Sequence, residues 1–572
     1  MSKNDKSETL KIVLNDREVE VPAGINLVEA AALHGKEVPH YCYHPKLSVA
    51  GNCRMCLVEM GMPLRDRTTG ESVLDEDGSQ KIGWIPKPVI GCGTNVAPGM
   101  HVKTDSDMAN ECREGIMEFL LVNHPLDCPI CDQAGECRLQ EFAMDYGRGY
   151  SRYVERKNVK PKRTRLGPRV TLDDERCILC SRCIRFCQEV ANDDVLGFID
   201  RGSYSTLACY PGKELANNYS LNTVDLCPVG ALTSSDFRFK MRVWFLKETQ
   251  GICTESSAGC NTIVSSREGR IYRITPRRND HVNDTWMPDS GRELHKEIVA
   301  ENRVLSFRIN NEEASRESAL AEVSNLLQGG KVGVVGSCRS TVEEQFLLRS
   351  LASHLNARVY VPGHFGEDDG LLLSADRTPN LRGALATGLI SKYPADKLKL
   401  LGRHLAKGDY KALLVVNEDI ISLGVSQEQL ESCKVIFLGI EENSTSKLAE
   451  VVLPGLSVFE KCGTFINRGF RLQKFESAVP APSGLSSESF LLNRILSDLS
   501  GEPELSPEPD ALWSLISKLI ASCLSGITLG DVGEEGIQLD PGKLADLPYV
   551  EAKALHFTPT PSRQPKREAV AR

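Results

Sequence analysis

Residues 8–24, ETLKIVLNDREVEVPAG, alternate apolar and polar side chains on both sides of Asn15–Asp16. A period of two marks a strand with one buried face, and Asn-Asp suits a tight turn, so the pattern predicts a β-hairpin. The following INLVEAAALHG places apolar residues at helical steps and stops at Gly35, which predicts a short helix. A longer helix is predicted over DMANECREGIMEFLLVNH, where Ala109, Cys112, Ile116, Phe119 and Leu120 define the expected buried face. Far downstream, KVGVVGS, KALLVVNED and KVIFLGI are short apolar runs that alternate with helical segments such as STVEEQFLLRSLASHL. That alternation predicts an open α/β domain, with Gly333 and Gly336 marking a tight turn rather than a phosphate loop. Two stretches lack any period. Residues 61–88 read as an exposed hairpin insertion, and the proline-rich basic tail from residue 541 reads as extended or disordered.

The length of 572 residues exceeds a single core and implies several domains. A net charge of -9 and a pI near 5.8 give no basic footprint for nucleic acid. The basic stretch RKNVKPKRTRLGPR, residues 156–169, reads as a linker or subunit contact. No run of about 20 apolar residues occurs, as a membrane helix requires. The start MSKNDKSETLK has neither the apolar core of a signal peptide nor the Arg-rich character of a transit peptide. The expectation is a soluble chain kept in a bacterial cytoplasm, peripheral on the inner membrane, where thiols stay reduced and metallated.

Cysteine spacing changes the picture most. Of 20 cysteines, twelve lie with one histidine in three sets between residues 42 and 227. The first is Cys42, Cys53, Cys56 and Cys92, a Cys-x2-Cys pair with two remote partners, as a [2Fe–2S] loop requires, although ten residues rather than four separate Cys42 from Cys53. A zinc ribbon would need two such pairs. The second is His124, Cys128, Cys131 and Cys137, in NHPLDCPICDQAGEC. Three thiolates and a neutral imidazole can hold a [4Fe–4S] cubane, the alternative being a Cys3His zinc site or a surface histidine. The third is the run Cys177, Cys180, Cys183 and Cys187 with the remote Cys227-Pro228. No second triplet exists, so Cys177, Cys180, Cys183 and Cys227 are assigned one [4Fe–4S] cluster, and Cys187 reads as a small apolar residue. Cys112, Cys209, Cys338, Cys433, Cys462 and Cys523 have no partner at ligand spacing and read as ordinary thiols.

The stretches MEFLLVNHPLDCPICDQAGEC, VDLCPVGALTSSDFRFK and RVWFLKET resemble the family of the large iron–sulfur subunit of respiratory complex I, the NADH-quinone oxidoreductase-G family. The resemblance is strong over residues 9–300 and weaker to about residue 500. It implies the same three ligand sets, a β-grasp start, ferredoxin-like [4Fe–4S] domains and a degenerate molybdopterin-oxidoreductase-like α/β half, around EVVLPGLSVFEKCGTFINRGFRLQKF. Many bacterial members carry a further cluster. Here Cys253 and Cys260 remain, but Ser256 and Pro288 stand at the other two positions, and proline has no side-chain donor, so that cluster is expected to be absent.

The expected fold class is therefore α+β followed by α/β. The expected domains are a [2Fe–2S] domain at 1–105, a His/Cys3 domain at 106–146, a ferredoxin-like domain at 147–245, a cluster-free domain at 246–304, the α/β domain at 305–540 and a tail at 541–572. Expected cofactors are one [2Fe–2S] and two [4Fe–4S] clusters, with neither molybdopterin nor flavin. No GxGxxG fingerprint or nucleophile constellation is present, so the chain is not expected to oxidise NADH itself. Expected partners are a flavin-bearing NADH-oxidising subunit and quinone-proximal iron–sulfur subunits. An iron-only hydrogenase and a molybdenum formate dehydrogenase are competing readings, and both need ligands that the half beyond Cys260 lacks.

Overall fold

The protein is described from a computed structural model, covering residues 9–66, 68–391, 394, 398–506, 509–519 and 523–540. The expected tail from residue 541 lies outside the described residues. The chain divides into two units between Trp244 and Phe245.

In the first unit, strands Thr9–Leu14 and Arg17–Pro22 form the expected hairpin. Asn15 and Asp16 both take positive φ, 48° and 63°, the left-handed pair that a two-residue turn needs to match strand twist. Thr9–Leu14 also runs parallel to His101–Lys103, which pairs antiparallel with Leu57–Pro63. The result is a mixed six-stranded sheet. Helix Leu27–Leu33 packs Leu27, Val28, Ala30 and Ala31 onto it, against Ile12, Val21, Val58 and Val102. Asn26 caps this helix, accepting from the Glu29 N–H at 3.0 Å, and Gly35 at φ 70° turns the chain away. The excursion expected over 61–88 begins and ends inside the sheet, because Leu57–Pro63 pairs with Ile82–Trp84. Only its middle is an exposed hairpin, bridged at Arg65–Ser72 and Leu74–Gln80.

Helix Asp107–Leu121 forms, but its buried face differs from the expected one. Ala109, Arg113 and Met117 are buried, Cys112 is half-buried and Phe119 is 82% exposed. An arginine displaces the apolar stripe because its guanidinium is satisfied there. Arg113 donates to Asn110 Oδ1 at 3.0 Å, to the Leu57 carbonyl at 3.2 Å and to the Thr104 carbonyl. Beyond it come helix Arg138–Tyr146, the antiparallel pair Leu196–Ile199 and Thr206–Cys209, a small sheet of Thr164–Arg165, Val170–Leu172 and Leu232–Ser234, and helices Arg182–Glu189 and Asn222–Leu226.

The second unit opens with a three-stranded antiparallel sheet, Lys247–Ile252, Asn261–Arg267 and Arg270–Pro276. Its centre is a seven-stranded sheet. Val332–Val335, Ala412–Val416 and Lys434–Gly439, the three expected apolar strands, lie parallel and adjacent, and are almost wholly buried. Such runs lose their alternation because helices cover both faces. Val342–His354 is one of those helices, started by a capping box between Thr341 and Glu344.

Candidate metal centres

The first set is gathered by the loop between the helix and the sheet. Cys42, Cys56 and Cys92 are buried and Cys53 half-buried. Their thiols stand in mutual hydrogen-bond contact, Cys42 with Cys53 and Cys92, and Cys56 with Cys92. The Cys42 N–H also donates to Cys53 Sγ at 3.4 Å. Neighbouring thiols donating to Cys42 and Cys56 hold these two below the ordinary thiol range. Cys53 and Cys92 are pushed up by those same contacts and by burial.

The second set follows the end of helix Asp107–Leu121. Cys128–Ile130 is a single 3-10 turn, and Cys137 starts helix Arg138–Tyr146. Cys128 is exposed, Cys131 buried and Cys137 half-buried, and the three lie close enough to raise one another's thiols beyond the effect of burial. His124 is pushed down to about 4 by burial, helped by Arg176 and Lys157. Its imidazole is thus neutral at pH 7 and keeps a lone pair for a metal. Arg176 also faces Cys131, which places His124 and Cys131 on the same guanidinium.

In the third set, Cys177, Cys180, Cys183 and Cys227 line one small cavity walled by Phe198, Leu207, Val229, Ala231 and Leu232. Burial raises all four thiols, Cys227 to about 11. Leu179 and Ser181 sit at φ 56° and 60°, the left-handed kinks that fold the cysteine run around the cavity. Four soft donors around an apolar-walled space fit an iron–sulfur cluster. Cys187 is fully buried in helix Arg182–Glu189 and does not line the cavity.

Among the described residues, no three His, Cys, Asp or Glu side chains converge as a single-ion site demands. Ligands of a cluster are shared among separate irons, so they need not converge on one point.

The three sets touch. The Pro228 carbonyl, next to Cys227, accepts from the Arg138 N–H at 3.2 Å and from Cys137 Sγ at 3.9 Å. Gly230 packs directly on Cys131, since a Cβ there would stand 2.4 Å from its Sγ. Arg182 and Arg185 reach from the third set to backbone carbonyls of the first. Sequence reading missed Gly230, Arg182 and Arg185; their only signal was position, inside CPVG and CSRCIR.

In the second unit, Cys253 and Cys260 face each other where two strands end, the Cys253 N–H donating to the Cys260 carbonyl at 2.8 Å. Burial lifts both thiols, Cys253 to about 12. Pro288 precedes the turn Asp289–Arg292, and Gly291 leaves room for Cys253 Sγ. A crevice at the carboxyl ends of the parallel strands is lined by Glu297, Glu418, Asp419 and Glu441, with Arg339, His364 and Lys461. His364 is bonded to Glu418 at 2.8 Å, and Lys461 to Glu344 and Glu488. That leaves mainly acidic lining, which does not fit a phosphate-bearing pterin.

Family comparisons agree with this series of sites. Residues 7–107 match the 2Fe-2S iron-sulfur cluster binding domain. Residues 113–152 match the NADH-ubiquinone oxidoreductase-G iron-sulfur binding region, and 167–233 the NADH-quinone oxidoreductase subunit 3 ferredoxin-like domain. Residues 246–295 match the NADH-ubiquinone oxidoreductase NDSU1/NuoG-like 4Fe-4S domain, and 297–495 the molybdopterin oxidoreductase family. The chain is thus an iron–sulfur protein with 2Fe-2S and 4Fe-4S domains ahead of a molybdopterin-oxidoreductase-like α/β half, as expected. The NADH-quinone oxidoreductase-G protein of Rickettsia felis is 37% identical over 363 residues, covering 62% of this chain and 50% of that protein. NADH-quinone oxidoreductase subunit 3 of Thermus thermophilus is 38% identical over 367 residues, covering 60% of this chain and 46% of that protein. The chain belongs to the NADH-quinone oxidoreductase-G family. It spans about half the length of these curated relatives. Among solved structures, an NAD+-reducing [NiFe]-hydrogenase aligns with 41% of the chain and 91% of its own, at 24% identity and a TM-score of 0.32. Among the described residues, no helix is long and apolar enough to cross a membrane.

Proposed function

We propose that the chain relays single electrons within an NADH:quinone oxidoreductase, from a flavin-bearing NADH-oxidising subunit towards quinone-proximal iron–sulfur subunits. It would lie peripherally on the cytoplasmic face of a bacterial inner membrane. Cys42, Cys53, Cys56 and Cys92 hold a [2Fe–2S] cluster; His124, Cys128, Cys131 and Cys137 hold one [4Fe–4S] cluster, and Cys177, Cys180, Cys183 and Cys227 the other. When bound, each cluster takes up and releases one electron without bond making. The observation that carries the reading is the cavity lined by all four cysteines of the third set. Phe198, Leu207 and Val229 keep water from it, which limits side reactions and tunes the potential. The neutral His124 contributes no thiolate charge, so the second centre takes the higher potential of the two cubanes. The domain boundaries stated from the sequence, and a pterin-free second half, belong to the same proposal.

The test is iron content and EPR on the anaerobically reconstituted, reduced chain. About 10 iron atoms per chain, as one [2Fe–2S] and two [4Fe–4S] signals, supports the relay. About 14 overturns the assignment by requiring a further cubane that uses Cys187, Cys253 or Cys260. Hydrogen evolution or formate-dependent dye reduction would instead favour the hydrogenase-like or formate-dehydrogenase-like reading.

A further inference from the structure

Two arginines stand between the first and third ligand sets, and the relay as described gives them no task. Both lie in the first turn of helix Arg182–Glu189, three residues apart and so on one face. Arg185 Nη2 donates to the Cys42 carbonyl, and at 3.4 Å to the Cys180 carbonyl, so one nitrogen touches a ligand residue of each set. Its Nη1 donates to the Ser48 carbonyl and its Nε to Ser181 Oγ at 3.2 Å. Arg182 repeats the arrangement. One nitrogen donates to the Tyr43 carbonyl beside Cys42, the other at 3.3 Å to the Leu226 carbonyl beside Cys227.

Arg182 and Arg185 are both held away from water, Arg185 being 8% exposed. Burying two like charges side by side is expensive unless something nearby carries the opposite sign. Carbonyl oxygens supply part of that. The side chains whose charges bear most on Arg182, after burial itself, are Cys180, Arg185, Cys42 and Cys227, with no carboxylate among them. The nearest acid on the same helix, Glu189, is taken by the Ser48 N–H at 2.8 Å and by the Ser48 hydroxyl. The missing counter-charge is supplied by the thiolate-ligated groups themselves, which are anionic.

We propose that Arg182 and Arg185 are positioning residues that clamp the [2Fe–2S] and the adjacent [4Fe–4S] sites together and set both reduction potentials with their buried positive charge. The inference rests on the electron-relay reading above. In the step concerned, one electron passes, the donating centre is oxidised by one electron and the receiving centre reduced by one. No proton moves and no bond forms or breaks. Fixed positive charge favours the reduced state on either side, because reduction adds a negative charge. The shared carbonyl–guanidinium–carbonyl bridge also gives a short hydrogen-bonded connection whose length cannot drift. Lysine would keep the charge but lacks the planar fork that reaches two carbonyls at once.

The experiment is a potentiometric EPR titration of the reconstituted full chain, comparing the natural protein with Arg185→Gln, Arg182→Gln and the two lysine variants. Each glutamine variant is expected to shift the reduction equilibrium of both centres at least tenfold towards the oxidised form, a fall of 59 mV per electron at tenfold. The second-set signal, whose ligands neither arginine touches, should move much less. The lysine variants should hold both potentials but lose magnetic interaction between the two centres. Potentials unchanged in the glutamine variants, with all signals present, overturn this inference and leave the relay standing. Absence of the signals in the natural protein overturns the relay itself. If the glutamine variants lose iron, retention in the lysine variants upholds the need for charge; loss in all four reduces the arginines to packing and overturns the proposal.

Discussion

Replacing Gly230 by alanine tests how tightly the third set is built against the second. Gly230 has no positive φ, so the backbone tolerates alanine and only space is at issue. An added Cβ stands 2.4 Å from Cys131 Sγ and 3.1 Å from Gln133 Cβ, whereas ordinary contact begins at 3.4 Å. The sulfur must therefore retreat by about 1 Å, several times the ~0.2 Å within which a metal–ligand distance is held. If it stays, overpacking costs about 1–3 kcal/mol. If Cys131 rotates away, it leaves Cys128 and Cys137. Both routes remove the second cluster while leaving Cys42, Cys53, Cys56, Cys92 and the lining of the third cavity untouched. Gly230→Ala should thus lose about 4 of about 10 iron atoms, and one [4Fe–4S] EPR signal, with unchanged far-UV circular dichroism. Full iron with an unaltered spectrum would refute both the contact and the assignment of Cys131 as a ligand.

Other substitutions probe separate points. His124→Cys should keep the second cluster but lower its potential, on the order of 100 mV, because a thiolate replaces a neutral imidazole; redox titration reads the shift. In the second unit, Lys461→Met strips both partners, at 2.7 and 2.9 Å, from the buried Glu344 and Glu488. It should cost about 3–5 kcal/mol, measured by denaturant unfolding. The Glu344 carboxyl is raised from 4.5 to about 7, by burial and by Glu488 against the opposing pull of Lys461. The folded chain therefore keeps a proton that the unfolded chain has released. Glu344's contribution is full below its ordinary value and lost as pH rises through about 7, so the unfolding midpoint should fall from about pH 5 to about pH 8. Cys253→Ser and Cys260→Ser should leave iron content unchanged; loss of iron in either would restore a cluster to the second unit.

Short-range information was enough for much of this protein. The Asn15–Asp16 turn, the helix closed by Gly35, the three apolar parallel strands and the Thr341 cap follow from local propensity and periodicity, and the structure has them where the pattern put them. Ligand sets were legible for a similar reason, since cysteines two residues apart can act together only on a shared metal or cluster. What the sequence could not reveal depends on neighbours far along the chain. Helix Asp107–Leu121 turned a different face inward because Arg113 found the Leu57 and Thr104 carbonyls, which no helical period encodes. Gly230 and Cys131 are about a hundred positions apart, and Arg185 lies 143 residues from Cys42. The sequence by itself determined which residues can ligate iron. Tertiary structure alone decided that the first and third sets share two buried guanidiniums and that the third set leans on the second, because hydrogen bonding and steric exclusion act on distance in space.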